Sequence, residues 1–287
     1  MIVSIDPEIV IRSAFEMPPL PQSAVRLAGI IANDEIELGE VVQVIECDPA
    51  LTLKLLRGAN SVYSSSSRPI GTVKDAVIRL GTGAILGLAV GACVQPNIHK
   101  VIPGYNILRS DFWRHSLAAA MATESLRSFS KQRISPLAFT SALLHDIGKI
   151  VLGHYLDTET LDLLERASRD SHLAVYQAES EILSLHHGEV GGVVAQHWGL
   201  PETIVKGIAF HHEPENCDDA IGIVTHFANY VAHQVAPMTV FGHTEVAPHE
   251  PEDVSSDMKH FGLTDVHTSK IFLAVKDRLA AIAADYA

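Results

Sequence analysis

The chain has 287 residues but only three cysteines, Cys47, Cys93 and Cys217, far apart and with no Cys-x-x-Cys pair. That scarcity excludes a disulfide framework and a zinc ribbon, and it reads as reduced thiols of a cytoplasmic protein. Basic residues are also few: 21 Lys and Arg against 34 Asp and Glu leave a formal charge of −13. A protein that grips a phosphate backbone needs a basic field, so no direct nucleic-acid binding is expected. Long apolar runs are missing as well. ILGLAVGACV at 85–94 is shorter than the roughly 18 uncharged residues of a membrane span, so no membrane association is expected, and its glycines suit a packed helix. MIVSIDPEIVIRSAF has no basic segment followed by a cleavage site, unlike a secretory signal. Neither a GxSxG nor a Walker-type sequence occurs, and the Gly81-Thr82-Gly83 pair follows no strand.

Hydrophobic residues make up 47% and charged residues 19%, the balance of an ordinary globular protein. Nearly every segment carries helical signals. Asp6-Pro7 reads as a cap and first-turn proline, and MPPLPQ at 17–22 breaks the helix that follows. SAVRLAGIIAND has apolar residues at 3–4 spacing. LGEVVQVIECD and PALTLKLLRGAN read as two helices joined at Asp48-Pro49, with a loop at 64–71 and two more helices, TVKDAVIRLG and GAILGLAVGACV, after it. PNIHKVIPGYN at 96–106 reads as a linker, and PLAFTSALLHDIGKIVLGHYL as one helix of a second series. Residues 236–262 are rich in Pro, Gly, Asp and His and read as a long loop before a last helix. The expected fold is all-α in two lobes: an N-terminal helical lobe over 1–105, and a helical bundle with a C-terminal helix extension over 106–287.

What the chain has in excess is histidine, 16 residues. His145 and Asp146 close an apolar run, SALLHDIGK, where an ionised carboxylate needs a partner. His115, His187, His211 and His212 fall on other helices of the second lobe. Imidazole and carboxylate are the usual ligands of zinc, iron and manganese, and a helical bundle gathers such ligands from separate helices. Each residue also has a plain structural reading. His145-Asp146 could be a buried hydrogen bond between helices, and His115 a core histidine beside Trp113. His187 could start a helix, and His211 and His212 could end one, where cations favour the dipole. Lys149, one turn after His145, could meet a phosphate oxygen or lie along apolar neighbours. His154, His172, His197, His226 and His233 are read as structural, although His226 stands one turn before Asn229 and could substitute as a ligand.

The order His, His-Asp, His, His-His resembles the HD superfamily of metal-dependent phosphohydrolases, and HDIGK resembles its cyclic-dinucleotide phosphodiesterase branch, HD-GYP. PPLPQSA, DPALTLKLLRGANS and TVKDAVIRLG resemble the first half of the related HDOD domain of bacterial signalling proteins; WRHS, ALLHDIGK and HHGEVGGVVAQHWGLP extend the likeness over about residues 15–235. The resemblance implies two α-helical lobes, the second HD-like, and a signalling or regulatory module, from a family not established as hydrolases. It implies a protein signalling partner and a divalent transition metal, iron, zinc or manganese, as one or two ions. The implied ligands are His115, His145, Asp146, His187, His211, His212 and, at the last position, Asn229. An HD enzyme carries Asp at that last position, and Asn229 offers an oxygen without charge. The GYP motif is absent too, since HHEPENCDDA follows. The alternative is a metal-dependent phosphohydrolase acting on a nucleotide, a cyclic dinucleotide or another small phosphorylated ligand. Asp146 would then orient the ions and Lys149 would steady the phosphate.

Overall fold

Side-chain caps from Asp6, Asp48 and Thr72 start three of the helices of the first half. In a computed structural model that describes residues 6–33, 35–62, 69–95, 98, 100–170, 173–241, 243–244 and 251–286, Asp6 accepts from the Glu8 amide and Pro7 opens α1 (Pro7–Ala14). The proline-rich stretch then turns the chain into α2 (Gln22–Ala32). Between α3 (Leu38–Glu46) and α4 (Pro49–Val62), Asp48 accepts from the Leu51 amide at 3.0 Å and the Ser23 hydroxyl at 2.7 Å, which ties α4 to α2. Those bonds hold its carboxyl below the ordinary range. Of the expected loop at 64–71, residues 64–68 lie outside the described residues, as does His172.

Thr72 caps α5 (Val73–Val94) through the Asp75 amide. By length and composition alone this helix, with mean hydropathy 1.9, could cross a membrane, yet 61% of its apolar window is buried inside the fold. Gly81, at φ 78° and ψ 161°, breaks it into the two helices expected from sequence. Beyond the break, Gly83, Gly87 and Gly91 form one stripe. A Cβ there would meet the Pro136 carbonyl, the Phe139 ring, and the Trp113 and Leu143 side chains, respectively. The stripe therefore lets α5 press against α6 (Arg109–Arg127) and α7 (Ala138–Leu144).

The connector between the halves is itself packed. Val101 pairs with Leu108 and Ile102 with Ile107 in a short hairpin, β1–β2, and Ile102, Tyr105 and Ile107 are buried. One apolar cluster runs from Val10 through Tyr105 to Val240. A second gathers around α6, α7, α13 (Ile221–Val235) and α15 (Asp265–Tyr286).

Two sequence expectations are corrected. PLAFTSALLHDIGKIVLGHYL is not one helix: α7 ends at Leu144, residues 145–147 turn, and α8 (Gly148–Leu152) follows. The reason is close approach, because a Cβ on Gly148 would meet the His187 carbonyl and the Gly191 amide. Nor is 236–262 one long loop. Thr239 and Val240 pair with Thr244 and His243 in a second hairpin, β3–β4. A helix, α14 (Pro251–Phe261), begins at a proline and buries Val254 and Phe261 against α13. Composition suggested a loop, while the apolar spacing at 254, 258 and 261 is helical.

The seam makes a prediction. Gly83→Ala should cost about 1–3 kcal/mol in urea unfolding despite the better helix former, because the added carbon meets backbone. Exposed Gly29, with nothing near its missing Cβ, should tolerate alanine at no cost. Equal stability of the two variants would contradict this packing.

Candidate metal centre

Separate segments deliver the candidate ligands. His115 comes from α6, and His145 and Asp146 from the turn before α8. His187 opens α11 (His187–His197), held by the Glu189 and His186 caps; His211 and His212 follow α12 (Glu202–Ala209), and Asn229 lies on α13. All seven are buried, from 0% exposure at His115, His145, His187 and His211 to 7% at His212.

Hydrogen bonds settle which ring nitrogen faces inward. Nδ1 lies 2.7 Å from the Ala142 carbonyl in His145, 2.7 Å from the Ile208 carbonyl in His211 and 3.0 Å from the Ala236 carbonyl in His115. In His187 it lies 2.7 Å from the Glu179 carboxylate. Carbonyls and carboxylates only accept, so each Nδ1 carries the proton and Nε2 of a neutral ring is a lone pair. Those Nε2 atoms turn on Asp146: 3.1 Å for His187, 3.3 Å for His145, and 4.0 Å for both His115 and His211. Nε2 of His145 and of His211 has no hydrogen-bond partner among the described residues. Nε2 of His115 meets Asn229 Oδ1 at 3.1 Å, and Nε2 of His187 meets that of His212 at 2.9 Å. Turning the Asn229 amide over would satisfy His115 alone. Lone pairs that face one another call for a cation between them. The residues fit a divalent metal, in two groups: His115, His145 and Asp146, and His187, His211 and His212, with donor atoms in each within 4.8 Å of one another.

Electrostatics agree. Burial opposes charge on Asp146, but His145 and Lys149, whose Nζ is 3.1 Å from each carboxylate oxygen, outweigh it and hold the group well below the carboxylate range. Burial and neighbouring His145 lower His115 to about 4 and keep His211 well below the usual imidazole value. Burial would lower His187 too, but the Glu179 carboxylate prevails and raises it to about 9. Two cations, Lys149 and the His187 imidazolium, thus face two buried carboxylates, and a divalent ion held by His187 would replace the proton on its Nε2.

The structure brings together every candidate ligand named from sequence, with Lys149 beside them, 2% exposed and ion-paired to Asp146. It does not bring His226, whose Nδ1 meets Asp257 at 2.6 Å instead. His197 meets Phe15 edge-on, and His233 packs its ring on His115 at 4.7 Å. Sequence reasoning missed Glu179 and Tyr105. Glu179 carried a legible signal: it sits on the apolar stripe of α10 (Val175–Leu183), beside buried Val175, Ala178 and Leu183, where a lone acid needs a partner.

The family model described as the HDOD domain matches residues 17–214, and the chain belongs to the HDOD domain family. An uncharacterized protein of Treponema pallidum (strain Nichols) is 25% identical over 221 residues, covering 75% of this chain and 42% of that protein. The chain therefore spans less than half the length of this relative. A "Putative signal transduction protein" from Marinobacter aquaeolei VT8 superposes with a TM-score of 0.70 at 22% identity, over 94% of this chain and 59% of that one. A "Putative phosphohydrolase" from Shewanella amazonensis SB2B superposes with a TM-score of 0.66 at 22% identity, over 95% and 97%. At that identity the likeness is one of fold.

His187 fixes a pH dependence. Its folded pKa, about 9, lies above the ordinary 6.5, so its charge stabilises the fold below pH 6.5, and that contribution is lost as the pH rises through 9. Metal uptake at pH 7.5 should accordingly release about one proton per chain. Calorimetry in two buffers of different ionisation enthalpy measures it, and uptake without proton release would contradict the assignment.

Proposed function

We propose that this chain is a regulatory signalling module of the HDOD family, with a metal centre of one or two divalent ions, iron, zinc or manganese, that stabilises a conformation rather than turning over substrate. The observation that carries this reading is the closure of the site. Asp146 and Lys149 are 2% exposed and the four central histidines 0%. A catalytic metal keeps a coordination position open to substrate, whereas a structural one is enclosed by protein ligands. Asn229 adds to the argument, because it supplies no charge where a hydrolase of this type has a carboxylate. Output would pass to a signalling protein that docks on the helical lobes.

One observation favours a second reading, a metal-dependent phosphohydrolase of a nucleotide or cyclic dinucleotide. Lys149 places a buried cation beside Asp146, where a phosphate oxygen could replace the carboxylate as its partner. A bound metal would supply Lewis acidity toward the phosphoester. Lys149 would have to turn from Asp146 to serve such a ligand, and the enclosing helices would have to part.

Elemental mass spectrometry of tag-free protein, beside a His145→Ala, Asp146→Ala double variant, tests the centre. The expected result is about one to two equivalents of metal in the parent and background in the variant. The metal-loaded parent should then leave cyclic dinucleotides, nucleoside monophosphates and simple phosphoesters unhydrolysed. Turnover that is lost in His145→Ala would overturn the regulatory reading in favour of the hydrolase.

A further inference from the structure

The connector turn at 103–106 meets the segments that build the metal centre, and it does so in a constrained conformation. Tyr105 is 0% exposed, and its neighbours Gly104 and Asn106 sit at φ 73° and φ 55°. Phe241, stacked on the Tyr105 ring with centroids 5.8 Å apart, sits at φ 53°, and its amide donates to the Tyr105 carbonyl at 3.0 Å. Left-handed backbone is costly for Phe and persists only where surroundings impose it, commonly at sites with a role. Three site-bearing segments converge here. A Cβ on Gly104 would meet Gly153 and Leu156, just after α8 and Lys149; Phe241 follows α13 and the Ala236 carbonyl that holds His115. The third is the chain from the Tyr105 hydroxyl, which donates to Glu179 Oε1 at 2.6 Å, while Glu179 Oε2 accepts from His187 Nδ1 at 2.7 Å and from the His187 amide at 2.8 Å.

We propose that Tyr105 and Glu179 are positioning residues for the metal centre, through which the connector between the two halves of the chain senses whether the centre is occupied. Glu179 fixes the His187 tautomer and aims its Nε2 inward. Outer carboxylates of this kind set the orientation and basicity of a metal-binding histidine. Tyr105 fixes Glu179 in turn, and its own place depends on the strained turn. A metal that draws on His187 therefore tightens the turn, and by linkage anything that loosens the turn weakens the metal. This inference rests on the metal centre proposed above.

The test is zinc affinity by competition with a chromophoric chelator, in the full chain and in Glu179→Gln, Tyr105→Phe and the double variant. Amide hydrogen exchange over 101–108 is followed with and without zinc. Glu179→Gln should bind zinc about 10–100-fold more weakly. Tyr105→Phe, which removes one oxygen, should bind about 3–10-fold more weakly. The double variant should be no weaker than Glu179→Gln, because Tyr105 acts through it. Zinc should slow exchange over 101–108 in the parent and not in Tyr105→Phe, a readout that loss of packing alone would not give. Should Glu179→Gln fail to fold, Tyr105→Phe carries the test by affinity and exchange. Parent-like zinc affinity in Tyr105→Phe, or exchange over 101–108 indifferent to zinc in a parent that binds it, would overturn the relay and leave the metal centre standing. A parent that binds no zinc, iron or manganese would overturn both.

Discussion

A buried carboxylate, Asp146, sets the terms for the helices gathered around it. An ionised group at 2% exposure costs several kcal/mol unless it is surrounded by compensating charge and hydrogen bonds. Lys149, one turn later, and the His187 imidazolium at the start of α11 meet that demand, while His145 beside it, His115 from α6 and His211 just after α12 turn Nε2 lone pairs toward it. Each of those rings is pinned on its far side by a carbonyl or by Glu179, so the centre and its supports form one network. Lone pairs in excess of protons are what the network offers inward. A divalent cation is the species whose charge and coordination preference match that offer.

The same network explains why the helices break where they do. Between α7 and α8 the chain turns to place His145 and Asp146 at its apex, and Gly148 allows that apex to sit against the backbone at His187 and Gly191. Behind it, the glycine stripe of α5 lets the first half of the chain lie directly on α7. The connector closes the arrangement from the other side through Tyr105. In the regulatory reading proposed above, change at the centre would be felt at the seam between the halves.

Much of this was legible in the sequence. Helical periodicity, the Asp6 cap, the Asp48-Pro49 junction and the order of histidine motifs led to an all-α chain and to the residues that converge on Asp146. What was not legible has physical causes. The turn at 145–147 depends on a glycine meeting a carbonyl from a distant helix, which no local pattern reveals. α14 was hidden by composition, because Pro251 and two aspartates look like loop although Pro is favoured in a first turn. Tyr105 sits in a segment whose two prolines and one glycine suggested a linker, and its burial comes from tertiary packing. Glu179 stood in plain view on an apolar helix face, and weighing its charge against its place would have found it.

X-ray absorption at the metal edge of the loaded protein tests the central claim most directly. Imidazoles turned inward through Nε2 around one carboxylate predict a first shell dominated by nitrogen at about 2.0–2.1 Å for zinc, with the outer-shell scattering of several histidine rings. A first shell of oxygen alone, without imidazole scattering, would contradict it and leave the inward histidines as packing around an ion-paired Asp146.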